Sequence, residues 1–339
     1  MEKGIRLITT KELHMSRLNT RYLGLELKSP VIAGSSSQTS TLAKMKEAED
    51  YGAGAIVMKS LFEEQINHMI AVTDVQSAYP EADDYMAYYI KSNAVEEYLN
   101  LISSAKKSLE IPVIPSINCI SSGTWIDFAR NIQEAGADAI EINMFFLPVK
   151  SNITSGDAEK MYMELIEKLK NTIKIPLAIK MGFRFTNILN VIDLFYRRGV
   201  EGVVMFNRFY EPDIDIEKMT IIPAHVFSTS EETRYVLRWI AMASALKLNI
   251  DISASTGVHS WEDAIKYILA GASTVQVCSV LYEKGISYIR KINEQILNWM
   301  EEKGFEKPDQ FRGKLNYSSV SNPVNYERTQ FMKYFSSHE

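Results

Sequence analysis

Short apolar runs alternate with amphipathic stretches along most of the chain. Eight runs predict strands at 30–34, 54–59, 112–117, 138–143, 176–181, 201–206, 249–254 and 273–277. Most are apolar on both faces, the pattern of strands covered on both sides. Between them, apolar residues recur at helical spacing. Ile188, Val191, Ile192 and Phe195 form one stripe, Val236, Leu237, Ile240 and Ala243 a second, and Ile286, Ile289, Ile292 and Ile296 a third. Gly52, Gly136, Gly199 and Gly271 stand where helix ends need a positive φ before the next strand. Two further strands enter through Ile-Pro, at Ile111 and Ile175. Their separation corresponds to two strand–helix units, as in a chain built from similar pieces.

Eight strands alternating with helices predict a (β/α)8 TIM barrel, with a doubly wound sheet as the alternative. The stretch 249–285 favours the barrel. After its two strands come Thr256-Gly257 and Cys278-Ser279, small-residue loops expected to place backbone N–H groups near helix starts, where a phosphate is held. Two connections, 60–91 and 207–232, are predicted as long rim loops after strands two and six. The chain reads as one domain, 1–339, with a barrel core at about 18–303. Residues 1–16 are read as a disordered leader, with Met15 an alternative start. The polar tail 304–339 is expected to dock on the barrel or on a second subunit, as in a homodimer.

Of 339 residues, 46% are hydrophobic and 23% charged, which fits a large packed core. The net charge of −5 argues against nucleic acid as partner. No apolar run is long enough for a membrane span, and the N-terminus lacks the apolar centre of a signal peptide. Cys119 and Cys278 end different strands, so no disulfide framework is implied and a cytoplasmic setting is expected. His14, His68, His225, His259 and His338 show no metal-ligand spacing, so no metal is expected.

Polar residues gather at the strand ends. Strand two ends in Lys59-Ser60, strand three in Asn118, strand four carries Asn143, strand five ends in Lys180 and strand six in Asn207-Arg208. Each alone is a satisfied polar terminus; together, beside a phosphate grip, they point to one shared ligand that is flat, hydrogen-bonding and partly anionic. A sugar phosphate processed through a lysine Schiff base is a weaker reading of the same lysines.

The chain resembles the dihydroorotate dehydrogenase family, in its soluble branch or a divergent group beside it. The likeness runs from about Leu18 to Leu315 and rests on LGLELKSPVIAGSSS, GAIVMKS, PSINC, AIEINM, PLAIKMGF, VVMFN, the STGV…AGASTVQVCSVLYEKG run and DQFRGKL. It implies an FMN-binding barrel that oxidises dihydroorotate to orotate in pyrimidine biosynthesis. Gly34 and Ser35 match the loop against the flavin ring, and Lys59 and Ser60 the pair between flavin and substrate. Asn118 and Asn143 match amides on both, Lys180 the lysine at the flavin N1 edge, and Asn207 a substrate-binding asparagine. Thr256-Gly257 and Cys278-Ser279 match the phosphate loops. Lys59, Asn143 and Asn207 are thereby the expected catalytic set.

The chain also departs from the family pattern. The family's catalytic cysteine or serine falls at Phe146 in Asn143-Met-Phe-Phe-Leu-Pro148, and phenylalanine cannot take a proton. Residues 66–92 do not carry the family's substrate-clamping loop, and HVFSTSEETR replaces a glycine-rich stretch. Cys119 is a candidate substitute base, though a small buried thiol is the better reading of it. Tyr79, Tyr85, Tyr88 and Tyr89 line the altered loop. The cofactor half of the pattern is therefore present and the proton-abstracting half is not. A flavoprotein acting on another small substrate, or an FMN-binding module without turnover, are the alternatives.

Overall fold

A computed structural model describes residues 16–62, 80–118 and 124–328, without the side chains of 62, 80–92, 124 and 125. Cys119 and Tyr79 lie outside the described residues, as do residues 1–15, and the side chains of Tyr85, Tyr88 and Tyr89 are not described.

The barrel wall is parallel. Its strands are β3 (Val31–Ala33), β4 (Ile56–Val57), β5 (Leu61–Phe62), β6 (Val113–Ile114), β7 (Ser116–Asn118), β8 (Ile140–Met144), β9 (Leu177–Met181), β10 (Gly202–Met205), β13 (Asp251–Ala254) and β14 (Thr274–Val277). β14 pairs with β3, β3 with β4 and β4 with β6; β5 pairs with β7, and β7, β8, β9, β10, β13 and β14 follow in turn. Pro115 separates β6 from β7, because it has no N–H for the ladder. Its carbonyl still accepts from Glu141 N–H at 3.0 Å, and Val113 O accepts from Asp138 N–H at 3.1 Å. β6–β7 is one barrel position and β4–β5 another, so the eight positions close into a (β/α)8 barrel.

Helices α1 (Leu42–Asp50), α2 (Pro80–Ser108), α3 (Thr124–Glu134), α4 (Ser155–Thr172), α5 (Ile188–Arg197), α6 (Thr233–Ser244), α7 (Trp261–Ala270), α8 (Ser279–Lys284) and α9 (Tyr288–Lys303) cover the strands. The predicted stripes face inward: Ile188, Val191, Ile192 and Phe195 are all buried. Gly52, Gly136, Gly199 and Gly271 have φ of 89°, 97°, 78° and 123°. At Gly271 a side chain would also drive into Ser244.

An antiparallel hairpin precedes the barrel, β1 (Thr20–Tyr22) against β2 (Leu25–Leu27). Leu23 and Gly24 turn it with φ of 55° and 75°. Tyr22, Leu23 and Leu27 pack with Ile32, Ala55, Val57, Ile114, Ala139 and Ala178 in a cluster separate from the sheet–helix core. The hairpin thus plugs the N-terminal mouth of the barrel, and Leu23 N–H is tied to Asp251 Oδ2 at 2.7 Å. The pattern of apolar residues did not announce it: its strands are three residues each and a leucine occupies a positive-φ position.

Three expectations change. The segment 60–91 is not all loop, since α2 begins at Pro80. The segment 207–232 carries a second antiparallel hairpin, β11 (Pro212–Asp215) with β12 (Thr220–Pro223). Its apolar residues were not read as strands because both faces are open to solvent and no alternation marks a buried side. Ser16, assigned to the leader, opens a 3-10 turn to Leu18, and neighbouring Arg17 pairs with Glu301 at 2.8 Å. In the described part of the tail, Phe311 is buried against Trp299 and Phe305. Gly313, Leu315 and Tyr317 donate backbone bonds to Ile268, Leu269 and Ala241.

Candidate functional site

The strand ends enclose a cavity of about 540 Å³ at the C-terminal mouth of the barrel. Of the residues singled out in the sequence, Ser35, Lys59, Ser60, Asn143, Lys180, Asn207, Thr256, Gly257, Cys278 and Ser279 line it. Gly34 and Asn118 do not. Gly34 lies one step behind the wall; its N–H donates to Val277 O at 2.9 Å, and a Cβ there would sit 2.5 Å from Cys278 Sγ. Asn118 ends β7, half-buried and outside the lining.

Strand register places Asn143 beside Lys180 on neighbouring strands. Both are 7% exposed. Lys180 Nζ stands 3.9 Å from Glu141 Oε1 and 3.5 Å from Gln276 Oε1, and Gln276 Nε2 donates to Glu141 Oε2 at 2.6 Å. Burial pushes the Glu141 carboxyl up, opposed by the Lys180 ammonium and the Gln276 bond. Burial likewise pushes the Cys278 thiol up, against the pull of Lys180, which disfavours a reactive thiolate. Asn143 Oδ1 is buried and has no hydrogen-bond partner. A buried acceptor left open costs about 1–3 kcal/mol unless a ligand donates to it.

On the strand-one and strand-two side, the hydroxyls of Ser35, Ser60 and Ser116 form a chain with spacings of 3.0 and 2.7 Å. Tyr98 OH donates to Ser116 O and accepts from Ser116 N–H, fixing the inner end. Ser116 and Tyr98 had no signal in the sequence, because each reaches the chain only through pairing of strands and packing of α2.

Thr256 takes a φ of 76°, unusual for a β-branched residue. It is held by its own hydroxyl on Phe206 O at 3.0 Å and by Tyr267 OH on its carbonyl at 2.7 Å. Gly257 follows with φ of 81°, and a Cβ there would meet Thr233 N at 2.6 Å. At the start of α7, Asp263 Oδ2 accepts from His259 N–H and Ser260 N–H, and Ser260 Oγ accepts from Asp263 N–H, a capping box. What faces the cavity is the loop 255–258 itself. Ser228, from the stretch HVFSTSEETR, also lines it, bonded to His259 and to Ser279. His259 carried no signal in the sequence because its partners come from distant segments.

Residues 17–300 match the family model described as Dihydroorotate dehydrogenase. The chain belongs to the dihydroorotate dehydrogenase family. It is 25% identical to the dihydroorotate dehydrogenase B (NAD(+)) catalytic subunit of Thermoplasma acidophilum, over 86% of this chain and 96% of that one. It is 27% identical to the subunit of the same name from Methanocaldococcus jannaschii, over 84% and 94%. It is 24% identical to the NAD-dependent dihydropyrimidine dehydrogenase subunit PreA of Escherichia coli, over 89% and 78%. This is a family of oxidoreductases, and the chain is one of them.

The side of the cavity away from loops seven and eight is less regular than the family membership alone suggests. Phe146 packs half-buried against the core, its N–H bonded to Tyr162 OH at 2.8 Å, and it does not line the cavity. Beside it Phe145, Phe183 and Phe209 meet edge to face, with Arg184 stacked over Phe183 and Phe209. Among the described lining residues there is no carboxylate and no imidazole. Lys59 and Ser60 also border a second cavity of about 320 Å³, with Glu97 and Tyr98. Among the described residues no group of side chains could hold a metal, and no helix is long and apolar enough to cross a membrane.

Proposed function

We propose that the chain is an FMN-dependent dehydrogenase acting on a small polar ring in the 540 Å³ cavity. The observation that carries this is the open Asn143 Oδ1, buried beside the Lys180 ammonium. A flat ligand with an N–H donor and anionic acceptors satisfies both, and the flavin ring has them along one edge. Lys180 and Asn143 would hold that edge, Ser35 and Ser60 the ring, and the loops at 255–258 and Ser279 the phosphate. Bound there, FMN would supply the two-electron acceptor.

The chain's own groups do the rest. Lys180 would set a positive charge against the edge of the ring that takes up negative charge on reduction. Glu141 and Gln276 hold that ammonium in place from behind. Lys59, Asn143 and Asn207 would bind the substrate's polar rim. Dihydroorotate, oxidised to orotate, is the first candidate, and the chemistry would belong to pyrimidine biosynthesis in the cytoplasm. A second reading is favoured by the position of Phe146: with no base in the described wall, a substrate that needs no side chain to take its proton suits the cavity better.

Anaerobic mixing separates these. Bleaching of the as-purified yellow protein by dihydroorotate supports the first reading. Bleaching only by another small reductant, such as a dihydropyrimidine, supports the second. A yellow protein that no reductant in the screen bleaches would mark an FMN-binding module without turnover. A colourless protein that takes up no FMN would sink all three.

A further inference from the structure

At one end of the cavity, four side chains form a relay. Ser279 Oγ lies 3.1 Å from Ser228 Oγ and accepts from Ser228 N–H at 3.1 Å. Ser228 Oγ lies 2.9 Å from His259 Nε2, and His259 Nδ1 lies 3.2 Å from Glu283 Oε2. Ser228 and Ser279 face the cavity beside Thr256 and Gly257. The imidazole side chain is 10% exposed, whereas Glu283 is 40% exposed at the outer end.

The order of donors follows from Glu283. Its carboxylate accepts from Nδ1–H, so neutral His259 presents Nε2 as an acceptor. Ser228 O–H then points at His259, and its hydrogen is not left for the cavity. With His259 protonated, Nε2–H donates to Ser228 Oγ. Ser228 O–H is thereby released from His259, free to donate to Ser279 Oγ or to an anion in the cavity.

We propose that Ser228, Ser279, His259 and Glu283 form a phosphate-reading relay, which binds a phosphate monoester dianion and takes up a proton with it. The proposal rests on the reading of the cavity as an FMN site and adds how the phosphate is recognised. The other charges around the relay are accounted for. Asp263 accepts from His259 N–H and is paired with Lys266, and Lys284 Nζ donates to His259 O. Arg208, which lines the cavity, is paired with Glu232 at 3.1 Å. None of them displaces Glu283 from Nδ1.

The test measures FMN and riboflavin affinities of the flavin-stripped full-length protein against pH. FMN affinity should rise as pH falls, by up to about tenfold per pH unit. It should turn over near pH ~6, where the phosphate itself takes a proton. Riboflavin affinity should stay flat. Calorimetry in two buffers of different ionisation enthalpy should show proton uptake with FMN and none with riboflavin. S228A should weaken FMN about tenfold and leave riboflavin unchanged. H259Q, whose amide donates to Ser228 at every pH, should keep FMN bound and lose the pH dependence. Equal pH profiles for the two flavins, no proton uptake with FMN, or an S228A effect shared by riboflavin would overturn the relay while leaving the FMN site standing. Failure of both flavins to bind would overturn that site and the relay together.

Discussion

At the strand-seven and strand-eight end of the cavity, the wall is backbone and small side chains: Ser255 to Val258, Cys278, Ser279 and, behind them, Gly34. At the strand-four and strand-six end, the neighbouring segments carry large rings: Phe145, Phe146, Phe183 and Phe209. The first end is bound by geometry that few residues satisfy. Gly257 needs both its φ of 81° and the absence of a Cβ, and Gly34 lets Cys278 approach. The second end is bound by packing volume, which many sequences fill. The first end therefore fails at once when a side chain is added, and the second does not.

The sharpest way to break this comparison is Lys180, where the two ends meet. K180M should lower turnover by about 10²–10³-fold. It should also destabilise the fold by about 3–5 kcal/mol by stranding buried Glu141, read by thermal melting; K180R should recover stability more than turnover. Next is G257A, expected to cost about 2–3 kcal/mol and to lower flavin content, since strain and the contact with Thr233 N add. A G257A protein as stable as the parent would show that the phosphate end is no more constrained than the other.

N143A should weaken FMN about tenfold while leaving the flavin-free protein as stable as before or more so, because the open buried oxygen is gone. Titration of the stripped variant with FMN, beside a melt without it, checks both halves. F146C puts a thiol at the position where the resemblance led us to expect the base. It should cost about 1–2 kcal/mol for lost packing and bring no gain in dihydroorotate oxidation, since this position does not line the cavity. A gain in rate would show that the aromatic end still holds a latent substrate site.

The smallest effect is on pH. Glu141 has a raised pKa, so the fold favours its protonated form. Its contribution to stability is full below its ordinary value of 4.5 and is lost as pH rises through the folded value. Melting temperatures of the parent relative to E141Q should therefore fall as pH rises above 4.5, and a flat difference would show that Lys180 and Gln276 fully offset the burial.

The chain's own pattern carried the barrel, its eight strand positions and the helix-ending glycines, and ten of the twelve site residues named from it, from Ser35 to Ser279, line the cavity. Strand ends are local in sequence, and a parallel barrel delivers every one of them to the same rim. What local reading missed has one cause. The plug hairpin at 20–27, the exposed hairpin at 212–223, the Ser35–Ser60–Ser116 chain and the Ser228–His259–Glu283 relay all join residues whose partners are far along the chain or whose strands bury no alternating face. Periodicity records which side of an element meets the core, and so it determined the architecture. Which hydroxyl meets which imidazole, and which helix start is already capped, was decided only when tertiary packing brought 228, 259, 279 and 283 together, because hydrogen bonds between distant segments leave no period in the sequence.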